Sequence, residues 1–127
     1  MSEEISFALE KLENAINKLK EGVLSAECEL EKDGVIHRFK ITYELLWKTL
    51  KIFIKDQGID VKTPKKTLKE AFRLGWIHGE DTFLNMMEDR NKTSHIYSKE
   101  ISDAIFSRIK DIYTKAIEDV LNTLKGK

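Results

Sequence analysis

Apolar residues at Ile5, Ala8, Leu9, Leu12, Ala15, Ile16 and Leu19 recur at steps of three and four. That spacing puts them on one stripe of a helix. Ser2 followed by Glu4 supplies a start signal, and the helix is predicted to fade near Glu21 and Gly22. Residues 22–33 carry four acids and one lysine and read as a loop with at most a short helical turn. From Val35 to Gln57 the pattern predicts a long helix. Its apolar residues, among them Phe39, Ile41, Leu45, Leu46, Trp47 and Ile52, exceed one narrow stripe. Such a helix is buried on more than one side, either as the central helix of a bundle or through a second, intermolecular surface.

Gly58 is a natural stop. Thr63 and Pro64, the only proline, restart a helix, with threonine as cap and proline in the first turn. Gly75 and Gly79 end this short helix and bracket Trp76, Ile77 and His78. A further helix is predicted over about Glu80 to Arg90, a connection over Asn91 to Ser94, and a last helix capped by Ser98. In that last helix Ile101, Ile105, Ile109, Ile112, Ala116, Val120 and Leu124 keep helical spacing. No segment has a period of two. The expectation is an all-α chain, residues 1–127 forming one domain. It is an up-and-down antiparallel bundle of the four-helix type with one helix broken in two.

Composition narrows the function classes. Hydrophobic residues are 41% and charged residues 35% of the chain, which excludes a disordered chain. Basic and acidic residues are equal at 22 each, so net charge points to no partner. Their distribution is uneven. Residues 1–34 hold four bases and nine acids, net −5, and residues 35–73 hold ten bases and four acids, net +6. Within the second block, residues 62–73 carry five bases and one acid. That face suits phosphate or an acidic protein, or simply keeps a helix soluble. Cys28 is the only cysteine, so no internal disulfide forms and a reducing cytoplasm is the expected setting. No stretch reaches the ~18 apolar residues of a membrane span, and the first residues lack a signal-peptide pattern.

Candidate chemistry is concentrated in one stretch. His37, His78 and His95 lie far apart and show no metal-ligand spacing, so no metal or cofactor is expected. No phosphate-binding glycine loop and no nucleophile elbow is present. The polar run from Met87 to Tyr97 differs, because its parts suit one task. Arg90 offers a permanent charge and a planar fork for phosphate oxygens. His95, after four polar residues, offers an imidazole that can give or take a proton. Asn91 is placed to orient either. RNA supplies its own nucleophile, the 2′-hydroxyl, so an imidazole and an arginine suffice for its cleavage. The same residues also suit a solvated interhelical loop, and Tyr97 suits the edge of the core with its hydroxyl in water.

Three segments together resemble a known family. They are Ile36 to Lys51, Pro64 to Ile77 with Glu70-Ala-Phe-Arg-Leu-Gly75, and Met86 to Tyr97. The chain is similar to the HEPN superfamily, and within it to the nucleotidyltransferase substrate-binding proteins, or HepT-like toxins. The superfamily motif, an arginine, a polar residue and a histidine after four to six positions, corresponds to Arg90, Asn91 and His95. The HepT-type tyrosine two residues later is Tyr97. The resemblance implies a homodimeric helical bundle in which the signature residues of two subunits face one cleft. It implies a minimal nucleotidyltransferase as partner. It also implies a metal-independent ribonuclease of the toxin–antitoxin kind, with Arg90 on the scissile phosphate, His95 as general acid–base and Asn91 in support. AMP added to Tyr97 would silence it. The alternative is a non-catalytic subunit that presents a nucleotide or RNA to the transferase.

Overall fold

The structure, a computed structural model, describes residues 2–95 and 98–127. Helix α1 spans Glu3–Ser25 and α2 spans Glu29–Asp56. Helix α3 spans Pro64–Arg73 and α4 spans Glu80–Lys92, followed by a 3₁₀ turn at Thr93–His95. Helix α5 (Lys99–Arg108), a π turn (Ile109–Tyr113) and α6 (Thr114–Lys125) follow one another in unbroken helical backbone. No strand occurs among the described residues. The all-α up-and-down bundle is as expected, with α3 and α4 as its broken member.

Several ends form where the sequence placed them. Ser2 caps α1 by accepting from the Ile5 N–H at 3.2 Å. Thr63 caps α3 by accepting from the Lys66 N–H at 3.2 Å, and Ser98 accepts from Glu100 and Ile101. Gly58, Gly75 and Gly79 have φ of +83°, +79° and +74°, a region that costs other residues ~1–2 kcal/mol.

The predicted loop at 22–33 is a correction. Only residues 26–28 connect α1 to α2. Gly22 does not stop α1 but packs it, because a Cβ there would lie 3.1 Å from Val35 Cγ2. The acids that suggested a loop belong to a helix start. Glu29 and Glu31 sit in the first turn of α2, where the helix dipole favours negative charge. Glu31 accepts from the Glu27 and Cys28 N–H groups at 2.9 and 3.2 Å, and these bonds hold its carboxyl below the usual pKa. So short a connection makes α1 and α2 an antiparallel hairpin. Arg38 donates to the Lys18 carbonyl at 2.6 Å, and Thr42 lies against the Ala15 carbonyl. Lys20–Glu118 and Lys125–Glu13 ion pairs set α6 antiparallel to α1.

Helix α2 packs against α1, α3, α4 and α5, the central place expected for it, with its fully buried residues on one side. Its buried residues, including Val35, Phe39, Thr42, Tyr43, Leu46 and Thr49, lie on a single stripe. The threonines fit there because their hydroxyls bond the carbonyls of Arg38 and Leu45 at 2.7 and 2.6 Å. Leu45, Trp47 and Ile52 are half-buried at the edge of the core, and Ile41 is 46% exposed. One chain therefore buries one side of α2.

The last helix shifts its phase at the π turn. Ile105, Ile109, Val120 and Leu124 are buried as the spacing predicts; Ile101, in the first turn of α5, is exposed, and past the start of the π turn Ile112 is exposed and Ala116 half-buried. Tyr113 and Ile117 occupy the core in their place. A π turn inserts one residue, which moves the inward positions one step along the chain. Thr114 marks the turn by donating to the Ile109 carbonyl five residues back, at 2.7 Å.

Candidate functional site

Met86 and Asp89 face inward from α4, at helical spacing. Asp89 is 3% exposed. Such a carboxylate requires partners, and it has three bonds. Arg108 donates from Nε to Oδ2 at 2.6 Å and from Nη2 to Oδ1 at 2.9 Å. The Tyr113 hydroxyl donates to Oδ2 at 2.5 Å. The Asp89 bond holds the Arg108 guanidinium above its usual pKa. Burial first, then the Asp89 bond, pushes the Tyr113 phenol up. Tyr113 is delivered by the π turn and its ring stacks on Phe39, with centroids 5.6 Å apart. The last turn of α4 is thereby tied to the last helix and, through Phe39, to α2.

Arg90 is the next residue and turns to α2. Its Nε lies 3.5 Å from Glu44 Oε1. Glu44 also accepts from Trp47 Nε1 at 3.2 Å and lies 3.7 Å from Lys48 Nζ. The Arg90 Nε and the Tyr43 hydroxyl are buried and have no hydrogen-bond partner among the described residues. Burial, and secondarily the Glu44 charge, pushes the Tyr43 phenol up, while Arg90 acts in the opposite sense. The Thr93 hydroxyl closes the end of α4 by donating to the Arg90 carbonyl at 2.5 Å.

Asn91 and Lys92 are exposed in the final turn, so the predicted connection begins two residues later than expected. His95 ends the 3₁₀ turn and is exposed. Asn91, Lys92, His95 and Ile101 line one open depression. The structure thus brings Asn91 and His95 together. It directs Arg90 to Glu44, outside that lining. Tyr97 lies outside the described residues. Chemically, the end of α4 presents a fixed cation and an accessible imidazole, a set suited to a phosphate ester. Among the described residues no three His, Cys, Asp or Glu side chains are grouped to hold a metal. No helix there is long and apolar enough to cross a membrane.

Sequence reasoning missed Asp89, Arg108, Tyr113 and Glu44. Asp89 and Arg108 lie nineteen residues apart, beyond any local spacing rule. A signal was available in Asp89 itself, an acid placed on the apolar phase of α4.

Comparison with known proteins bears on the same region. Residues 3–126 match the family described as nucleotidyltransferase substrate binding protein like. A Haemophilus influenzae protein named "Probable ribonuclease HepT" is 31% identical over 83 residues, covering 61% of this chain and 57% of that relative. This chain therefore matches little more than half of that relative's length. A crystal structure of a Thermus thermophilus protein superposes with a TM-score of 0.84 at 32% identity, covering 90% of this chain and 98% of the other. A Haemophilus influenzae structure, described as revealing the fold of a substrate binding domain of a nucleotidyltransferase, superposes with a TM-score of 0.82. Its identity is 25%, over 92% of this chain and 98% of that one. With a family match that runs from the first turn of α1 to the end of α6, the chain belongs to the nucleotidyltransferase substrate-binding-protein-like family.

Proposed function

We propose that this chain is a HEPN-type partner of a minimal nucleotidyltransferase, and that it is a metal-independent endoribonuclease of the HepT-like toxin kind. The observation that carries the reading is the end of α4. A buried three-bond anchor at Asp89 fixes the turn that holds Arg90, and the exposed His95 follows on the 3₁₀ turn. In the proposed reaction the RNA 2′-hydroxyl attacks the adjacent phosphorus and the bond to the 5′-oxygen breaks. His95 removes the 2′ proton, and the leaving oxygen takes up a proton. In a homodimer, the second subunit's copy of the same histidine supplies that proton. Arg90 stabilises the charge that develops on the phosphoryl oxygens, and Asn91 orients the phosphate. The products are a 2′,3′-cyclic phosphate and a 5′-hydroxyl. The cytoplasm is the proposed setting.

Control is proposed at Tyr97. Its phenolic oxygen attacks the α-phosphorus of ATP on the partner transferase, gains AMP and releases pyrophosphate. Mass spectrometry after incubation with the transferase and ATP is expected to find AMP on Tyr97, and none on a Tyr97→Phe chain. Labelling of Tyr97→Phe at the wild-type level would reject this acceptor. Sedimentation that shows only monomer at micromolar concentration would remove the shared cleft.

A second reading is favoured by the family description. The chain then presents a nucleotide or RNA substrate to the transferase without cutting it. Arg90 and the open depression at Asn91 and His95 serve that role as phosphate contacts. The two readings separate on whether the purified chain breaks the RNA backbone.

A further inference from the structure

We infer that the outer face of α3 is a track for single-stranded RNA, distinct from the end of α4. Thr67, Leu68 and Ala71 bury the inner side of this helix. The opposite side exposes Lys65, Lys66, Lys69 and Arg73, and Lys62 is exposed just before the Thr63 cap. Within the helix these four positions fall three and four residues apart over about two turns, so their charges share one face. From Lys65 to Arg73 the face is about 12 Å long, at ~1.5 Å per residue. The only acid in α3, Glu70, is bound by Arg73, whose Nε donates to it at 2.9 Å. Lys62, Lys65, Lys66 and Lys69 have no carboxylate within ion-pair distance among the described residues.

Two details separate this face from ordinary soluble surface. Phe72 is 44% exposed beside Lys69 and Arg73, which supplies a stacking platform among the cations. Lys65 and Lys66 occupy the first turn, where the helix dipole disfavours positive charge. Helices α1, α2, α4 and α5 each carry at least one acid in the first turn, and α3 carries none. A cationic first turn opposes folding and favours an anion from outside. Cations tracking a backbone, with an aromatic ring for bases, form the sequence-tolerant pattern of single-strand binding. Helix α3 packs against α4, which is about 20 Å long and carries Arg90 in its last turn. A strand of several nucleotides spans both. This inference rests on the proposed RNA substrate and adds a second contact region to it.

The test is fluorescence anisotropy of the full chain with a labelled 2′-O-methyl oligouridylate, which lacks the attacking hydroxyl and reports binding alone. Lys65→Gln/Lys66→Gln/Lys69→Gln is compared with wild type over a salt series. Three lost phosphate contacts lower the slope of log affinity against log salt by about 2. Extrapolated from 1 M salt, that slope is roughly a hundredfold loss at 0.1 M. Phe72→Ala weakens binding about tenfold with the slope unchanged. Wild-type affinity and slope in the triple variant would overturn the track, as would a wild-type chain that binds no oligonucleotide. If the triple variant keeps RNA but loses the nucleotidyltransferase, α3 is a protein interface and the proposal falls. Cleavage is scored separately on unmodified RNA. Lysine-dependent binding without cleavage rejects the nuclease and leaves the track. Cleavage and binding both untouched by the triple variant reject the track and leave the nuclease.

Discussion

Replacing Asp89 with asparagine removes the charge at the α4 anchor while keeping its shape. The amide offers one oxygen in place of two, and its NH2 faces either Arg108 Nη2 alone, at the Oδ1 place, or both Arg108 Nε and Tyr113, at the Oδ2 place. At least one donor then loses its acceptor. The Arg108 side chain is 38% exposed, so water screens much of that loss and limits it to about 1 kcal/mol. The Tyr113 residue is 1% exposed, and its hydroxyl, left without an acceptor, costs about 1–3 kcal/mol. With the amide oxygen at the Oδ2 place only the first loss applies, and at the Oδ1 place both do, so the predicted loss is at least about 1 kcal/mol and up to about 4 kcal/mol, against the ~5–15 kcal/mol of a typical domain. Urea unfolding followed by circular dichroism reads it as a lower midpoint with an unchanged slope. The Arg108→Gln variant and the double variant complete a cycle. A loss below about 0.5 kcal/mol in Asp89→Asn, or strictly additive losses in the cycle, would refute the anchor.

The two buried tyrosines give opposite results. Tyr43 has no hydrogen-bond partner among the described residues, so Tyr43→Phe is neutral or stabilising, whereas Tyr113→Phe costs about 1 kcal/mol. Both phenols are held above the ordinary value of 10.0. The unfolded chain therefore loses their protons first, and stability, complete below pH 10.0, falls as pH rises above it. A urea series at alkaline pH checks this, and Tyr43→Phe flattens the fall. Gly34 is exposed within α2 and nothing lies near its missing Cβ, so Gly34→Ala stabilises by about 0.5–1 kcal/mol in thermal unfolding. The same change at Gly75, with φ of +79°, costs ~1–2 kcal/mol.

Local signals of the fold were readable because the interactions that create them are local. Ser2, Thr63 with Pro64, Ser98 and the turn glycines act within a few residues of themselves. The stripe of α1 was legible for the same reason. The acids at 27–33 misled because composition alone does not separate a loop from the acidic first turn of a helix. In α2, a count of apolar letters included Ile41 and passed over Thr42 and Thr49, whose hydroxyls are satisfied by their own helix. The π turn was hidden because Ile112 and Ala116 continue the regular spacing as well as Tyr113 and Ile117 replace it. At the candidate site Arg90, Asn91 and His95 fall within six residues of one another, so spacing alone could single them out. Spacing could not show the supports, because Glu44 reaches Arg90, and Arg108 and Tyr113 reach Asp89, only through tertiary packing.

Single-turnover cleavage tests whether Arg90 and His95 break RNA. Purified chain is incubated with end-labelled single-stranded RNA in EDTA, beside Arg90→Ala and His95→Ala. Cleavage by the wild type with 2′,3′-cyclic phosphate ends is expected, with a loss of about a hundredfold or more in each variant. Equal cleavage by all three chains, or none by the wild type, would contradict the proposed nuclease.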